Sequence, residues 1–253
     1  MMGRSASRRG GALALAACVA LTAAGCTKAV QEFFGLDSAE TAGSIADLNQ
    51  YHDPLVLLTR ADKLYDKRNY MEAAMTYERF LELHHLHPKA DYAQFRLGLS
   101  DLKQFRSIDR DMEPVTKALK AFQSFLVAYP DSQYATEVRA YQRTCRLYLG
   151  ESDLYIGRFY FRKGVYPAAI SRFEEVIKEY GDLPVGEESL YLLGQAYAAT
   201  GDQEQARKRL QQLVTQYPGS TFQEKAKERL VQLNSDNACG ASSAEHAAVS
   251  TLC

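Results

Sequence analysis

The chain has no tryptophan, only seven prolines and five cysteines in 253 residues, and no excess of positive charge. Each shortage closes off a reading. Cys18, Cys26, Cys145, Cys239 and Cys253 show no zinc-ligand spacing and are too few for a disulfide-held scaffold. A formal net charge of −1 gives no basic footprint for a nucleic acid, so none is expected as a partner. Beyond residue 25 no apolar run approaches the roughly eighteen residues of a membrane-spanning helix, and none is expected. No phosphate-binding glycine loop, serine elbow or cysteine–histidine arrangement occurs, so neither catalysis nor a cofactor is expected. His84, His85 and His87 come nearest to a metal cluster. Neighbours on a helix point to different sides, no acidic cluster is near, and histidines suit a helix C-terminus, so no metal is expected. Glu174-Glu175 and Glu187-Glu188 read as solvated faces rather than acid pairs.

The N-terminus is built differently from the rest. Met1 to Arg9 holds three arginines and no acid, and Gly11 to Ala24 is an unbroken apolar and small-residue stretch. A basic start, a short apolar core and small residues before a cleavage point make a secretory signal over 1–25. Losing it would remove Arg4, Arg8 and Arg9 and leave the remainder at −4, three units below the −1 of the whole. Leu21-Thr22-Ala23-Ala24-Gly25-Cys26 also resembles the bacterial lipobox, with Ala23 where leucine is preferred. That resemblance implies cleavage before Cys26 and its lipidation by acyl chains such as palmitate. Each buried methylene is worth about 0.8 kcal/mol, so several chains anchor firmly. The alternative is an ordinary signal peptide with an incidental cysteine. Thr27 stands where an aspartate would imply inner-membrane retention, which favours the periplasmic face of the outer membrane. Residues 26–52 are polar apart from Phe33-Phe34-Gly35-Leu36 and read as a tether with a possible short surface helix.

Sixteen tyrosines and eleven phenylalanines are many for this length, and helical repeats use such side chains to fill gaps between stacked helices. Four segments share one template. Ala61, Ala73 and Tyr77 recur as Gly157, Ala169 and Phe173, and as Gly194, Ala206 and Leu210, with 12 residues from first to second and 4 to the third. In the remaining segment Gly98, Ala118 and Phe122 stretch the 12 to 20. Such spacing suits helical hairpins whose backbones approach at small residues, with bulky ones filling the adjacent gap. A mid-helix glycine costs about 1 kcal/mol relative to alanine, which close packing can offset. Gly164 and Gly201 fall at turns, and Pro88, Pro130, Pro184 and Pro218 follow the second helices. This order of small residue, aromatic, turn glycine, alanine, aromatic and proline resembles the tetratricopeptide repeat over Pro54 to Pro218.

The irregular spacing is equally informative. The period is 37 from Ala61 to Gly98 and from Gly157 to Gly194, but 59 from Gly98 to Gly157. Of the excess 22, 8 fall before Ala118 and 14 after Phe122. Fourteen is close to four helical turns at about 3.6 residues each, which predicts one long helix from about Ser132 to Arg162, with Gly150 a candidate kink. The 8 predict a loop around Phe105 to Asp111, projecting from one face. Asp53 and Pro54 would open the first helix, and Phe222, Ala226, Leu230 and Leu233 mark a capping helix. The expected fold is therefore all-α: a tetratricopeptide solenoid of about four hairpins plus a C-terminal cap over 53–233. A tail over 234–253, without lysine or arginine, is expected to be disordered, and Cys239 and Cys253 could pair there. Cys145 reads as a buried thiol.

Two phrases go further. Tyr129-Pro130-Asp131-Ser132 is echoed by Tyr217-Pro218-Gly219-Ser220, and His87-Pro88 is followed by Asp91-Tyr92, Arg96-Leu97-Gly98-Leu99 and Ile108-Asp109-Arg110-Asp111. With the lipobox, this order resembles the BamD family, the lipoproteins of the outer-membrane β-barrel assembly machinery, over roughly Leu55 to Leu233. The resemblance implies a scaffold that holds the membrane-embedded barrel subunit and unfolded barrel precursors. That family has five repeats and four are seen here, which bears on precursor handling more than on docking. Other cell-envelope readings are a Tol-Pal type repeat protein, which would lack lipid and carry a coiled coil, or a peptidoglycan or polysaccharide-export lipoprotein.

In stacked hairpins the first helices line the concave side. Counting from the helix glycines, the exposed positions are Asp62, Tyr65 and Asp66, then Leu99, Leu102 and Lys103. Leu154, Arg158, Phe161 and Arg162 follow, then Tyr191 and Gln195. Tyr65, Leu102, Arg158, Phe161, Arg162 and Tyr191, with Arg110 of the loop, are the candidate partner-binding residues. They suit an extended or helical peptide bearing acids. Replacing Cys26 with alanine is expected to move the protein from the membrane pellet to the soluble fraction on cell fractionation. Undiminished membrane retention would refute the anchor.

Overall fold

The computed structural model describes residues 52–235. The signal 1–25, Cys26, nearly all of the tether, and the tail with Cys239 and Cys253 lie outside the described residues. The chain divides into Met1–Leu57, of which only residues 52–57 are described, and Leu58–Cys253. The helices are α1 (Pro54–Asp66), α2 (Tyr70–His84), α3 (Ala90–Leu102), α4 (Glu113–Ala128), α5 (Ala135–Arg162), α6 (Tyr166–Tyr180), α7 (Pro184–Ala199) and α8 (Gln203–Gln216). A last helix, α9, follows over 223–235, and no strand occurs among the described residues. The repeat arrangement is thus all-α, as the periods predict.

Helix starts follow local chemistry. Asp53 accepts hydrogen bonds through Oδ1 from the backbone N–H groups of Leu55 at 2.8 Å and Val56 at 3.1 Å, capping α1 ahead of Pro54. Asp202 caps α8 by accepting from the N–H of Gln205 at 3.0 Å. Pro184 begins α7 itself, where its missing N–H would have had no partner.

From α2 onward each helix packs on the next, and α5 also reaches α7. Small residues set the crossings. A Cβ built on Gly98 would lie 2.5, 2.8 and 2.9 Å from Cε1, Cδ1 and Cζ of Phe122, which puts the ring's flat face against the glycine backbone. The same atom on Gly157 would lie 2.5 Å from Cε1 of Phe173, and on Gly194 2.6 Å from Cγ of Leu210. Real Cβ contacts do not occur at these distances, so only glycine admits the partner side chain. Ala61 and Tyr77, the corresponding pair of the first repeat, are fully buried. Gly150 serves the same end within a continuous helix: a Cβ there would meet Val185 at 2.9 Å and Tyr180 at 3.0 Å. It is a contact point in α5, which runs unbroken through it.

The 14-residue excess appears as α5, 28 residues long and so about 42 Å at 1.5 Å per residue. Its first half packs Ala135, Val138 and Cys145 into the core of the second repeat with Phe95, Phe122 and Phe125. Its second half packs Leu154 into the core formed with Ala169, Phe173, Val176 and Leu193. One helix therefore closes one repeat and opens the next. Ala226 and Leu233 of α9 close the last core against Leu190, Ala206, Leu210 and Leu213.

The hairpin turns share one hydrogen-bond pattern. Gly164 N–H donates to Phe161 O and Val165 N–H to Tyr160 O, both at 3.0 Å, while Gly201 and Asp202 repeat the pair on Ala198 and Tyr197. The glycines take φ of +73° and +85°. At the matching place in the first repeat, Arg68 donates to Tyr65 O and Asn69 to Leu64 O, with Arg68 at φ 61°. A residue with a Cβ is strained there by about 1–2 kcal/mol, partly offset by the greater freedom glycine has when unfolded. Arg68→Gly is therefore expected to stabilise the fold by about 0.5–1 kcal/mol in urea melts. Gly157→Leu is expected to destabilise it by at least 1–3 kcal/mol, by driving a side chain into Phe173. An unchanged midpoint for Gly157→Leu would refute the packing role.

Candidate functional site

Most of the side chains expected to line a groove are engaged between repeats. Leu99 and Leu154, expected to be exposed, are 7% and 2% exposed and belong to the core. Leu102 packs against the second-repeat core, and Phe161 lies against Tyr166 and Phe173 with ring centroids 5.6 and 6.3 Å apart. Tyr191 stacks on Phe222, just ahead of α9, at 5.4 Å. Tyr65 lies under the guanidinium of Arg96, 3.6 Å from the ring centroid. Arg96 in turn donates to the Tyr77 hydroxyl at 3.2 Å. Tyr77 and Tyr92 both donate to Oδ1 of Asp62. Burial, then the bond to Asp62, pushes Tyr92 up to about 12, so both hydroxyls stay protonated donors.

Arg158 is tied to α7: its Nε donates to Oε1 of Glu188 at 2.7 Å, and a second nitrogen pairs with Oε2. Glu188 is accordingly held between helices rather than on a solvated face, whereas Glu174 stays partly exposed while accepting from the Tyr197 hydroxyl at 3.0 Å and from Arg209 at 3.1 Å. Arg146 similarly grips both oxygens of Asp182 at 2.6 and 2.7 Å, holding that carboxyl below its ordinary range. His84 and His87 rest their rings on Phe80 at 5.5 Å. Cys145 is buried, and burial pushes its thiol to about 12, which leaves it unreactive at neutral pH.

The outward face of α5 lies elsewhere. At 100° per residue, positions two before, two after and five after a packed glycine point away from the packing partner. For Gly157 these are Tyr155, Phe159 and Arg162, all exposed. Tyr155 at 41% and Phe159 at 46% are among the most exposed aromatics in the described residues, and Lys163 Nζ sits 5.9 Å from the Phe159 ring centroid. Counting one place beside the glycine finds the seam between helices. Counting to the opposite side of the helix finds the solvent stripe.

The same stripe continues back to the 8-residue insert. Phe105 stacks on Tyr148 with centroids 4.6 Å apart, and Ser152 Oγ donates to Ile108 O at 2.9 Å. The loop is thus pinned along α5 rather than projecting freely, with Arg106 and Arg110 exposed at its surface. Of the expected residues, Arg110 and Arg162 are exposed, Arg162 on the same side of α5 as Tyr155 and Phe159 and Arg110 on the loop pinned to that helix. Arg158, Tyr65 and Tyr191 are brought into contacts with the following repeat or cap, while Leu102 and Phe161 pack within their own repeats.

A second surface lies across α2, α3 and α4. A groove of about 630 Å³ is lined by Met71, Ala74, Met75 and Glu78 of α2, Leu97 and Asp101 of α3, and Lys117, Lys120 and Ala121 of α4. Met71 and Met75 are each 64% exposed at its mouth, whereas Asp101 on its floor is 8% exposed. Burial raises the Asp101 carboxyl to about 6, Lys117 opposes this, and Glu78 adds to it. The native chain therefore holds a proton on Asp101 between about pH 4 and 6 that the unfolded chain has released, so this group's contribution falls as pH rises across that window. Asp101→Asn is expected to stabilise the protein by up to about 3 kcal/mol above pH 6 and to have no such effect below pH 4. Parallel denaturant melts across pH check this, and a pH-independent difference would contradict it.

Residues 19–211 match the model of the YfiO family, described as outer membrane lipoproteins. Curated relatives carry the name outer membrane protein assembly factor BamD. The protein of Neisseria meningitidis serogroup A is 31% identical over 60% of this chain and 60% of its own length. That of Caulobacter vibrioides is 30% identical over 62% and 52%, and that of Vibrio cholerae 34% identical over 54% and 62%. The matched region thus spans about half to three fifths of these relatives' lengths. With the repeat fold already evident, the match over 19–211 is decisive: the chain belongs to the YfiO family of outer membrane lipoproteins.

Proposed function

We propose that this protein is a lipid-anchored, non-catalytic scaffold of the outer-membrane β-barrel assembly machinery, facing the periplasm. In this reading it holds a membrane-embedded barrel subunit, and unfolded barrel precursors, through its repeat surfaces. The relatives' shared name as assembly factors supports the setting. The observation that carries the docking role is the solvent stripe of α5, where Tyr155, Phe159 and Arg162 stand exposed on a helix held by packing on two repeats.

The physics suits a recognition surface. Exposed aromatics give large apolar contact at little entropic cost, and binding energy concentrates in such anchors and in arginines. Because α5 is packed along both halves, the stripe is presented rigidly and little ordering accompanies binding. The exposed cations Arg162 and Lys163 on α5, with Arg106 and Arg110 on the loop pinned to it, favour a partner segment with acids beside an apolar patch.

Mild-detergent purification from the cell envelope is expected to recover a large barrel protein with soluble periplasmic domains. Tyr155→Ala, Phe159→Ala and Arg162→Glu combined are expected to lower that recovery about tenfold or more while leaving the melting temperature unchanged. These positions are cleaner probes than Arg158, whose replacement would also strand Glu188. Full recovery with the triple variant would move the interface off α5.

A further inference from the structure

The groove across α2, α3 and α4 lies on helices that the α5 stripe does not use. We propose that it receives a short basic amphipathic helix from a partner protein, seating aliphatic side chains between Met71 and Met75 and a lysine or arginine against Asp101. Its exposed methionines sit four residues apart on α2, one helical turn, and lead to an apolar floor of Ala74, Leu97 and Ala121. Unbranched thioethers adapt to aliphatic ridges of varied shape.

Charge selects the occupant's sign. Asp101 is more than nine-tenths buried, yet among the described residues its carboxylate accepts no hydrogen bond shorter than the 3.4 Å one from Gln104 Nε2. Glu78 faces it from α2, while of the two lysines on α4, Lys117 is bonded to Glu113 at 2.8 Å. Glu82 on the same wall pairs with Arg79 at 3.0 Å. An ionised, under-bonded carboxylate beside a second acid is satisfied by a cation brought in from outside. An anionic occupant would meet three acids, Glu78, Glu82 and Asp101, against Lys120 and a Lys117 already bonded to Glu113.

Conformation is selected as well. An extended segment needs donors and acceptors for its own backbone. The side-chain amides on this floor are already used: Gln94 Nε2 donates to Ala121 O at 3.0 Å and Gln104 Nε2 to Ser100 O at 3.2 Å. A helix brings its backbone bonds with it and needs only side-chain contacts, so it leaves nothing unpaired.

The test uses the full chain in mild detergent and a synthetic amphipathic peptide of roughly 14 residues, about four turns, with leucines on one face and lysines beside them. Fluorescence anisotropy reads the affinity. The basic peptide is expected to bind, and Asp101→Asn or Met71→Ser with Met75→Ser to weaken it at least about fivefold. Arg162→Glu on α5 should leave it unchanged, which separates this site from the proposed barrel-subunit contact. A peptide with glutamates for lysines, or with a central proline, should lose binding. Failure of the basic peptide to bind, equal binding by the acidic or proline-broken peptide, or insensitivity to the methionine and Asp101 replacements would each overturn the proposal.

Discussion

The contact on which the architecture rests is the seat of one bulky side chain on the bare backbone of a facing helix. Phe122 on Gly98, Phe173 on Gly157 and Leu210 on Gly194 bring paired helices closer than any Cβ would allow. Each contact is tight because the partner residue is itself fully buried, so neither side has room to retreat. Repeated through the stack, it sets the crossings from which every exposed face takes its direction. The aromatic richness and lack of tryptophan agree with this: flat phenylalanine rings fill a slot one glycine wide.

Insertions into this regular frame create the surfaces. Fourteen extra residues make α5 long enough to serve two cores, and eight more make a loop that lies along it through Phe105 and Ser152. The result is a stripe of exposed side chains on a helix anchored at both ends. On other helices, the same crossing geometry leaves α2 and α4 flanking α3, with Asp101 enclosed below two exposed methionines.

Much of the frame was legible because period and packing are local consequences of residue size. The 12-and-4 spacing located the crossings, the excess of 14 located α5 to within three residues of its start, and the turn glycines at 164 and 201 showed positive φ. What stayed hidden depends on partners far apart in the chain. Arg68 fills a turn that glycine fills elsewhere, because the hydrogen-bond pattern is held by the flanking helices. Arg158 finds Glu188 thirty residues on, and Glu174 finds Tyr197 and Arg209, pairings that no spacing announces. The exposure of Tyr155 and Phe159, by contrast, follows from helix geometry alone, because the side of α5 opposite a packed glycine can be counted at 100° per residue.

The seating of rings on glycine backbones is open to direct measurement. In a two-dimensional NMR spectrum of glycine-labelled protein, one Hα of Gly98 and one of Gly157 should move strongly upfield under the ring currents of Phe122 and Phe173. Gly194, which faces leucine, should show no such displacement and acts as the internal reference. Ordinary helical shifts at Gly98 and Gly157 would mean that the rings do not lie on the backbone, and the account of how these helices pair would fail.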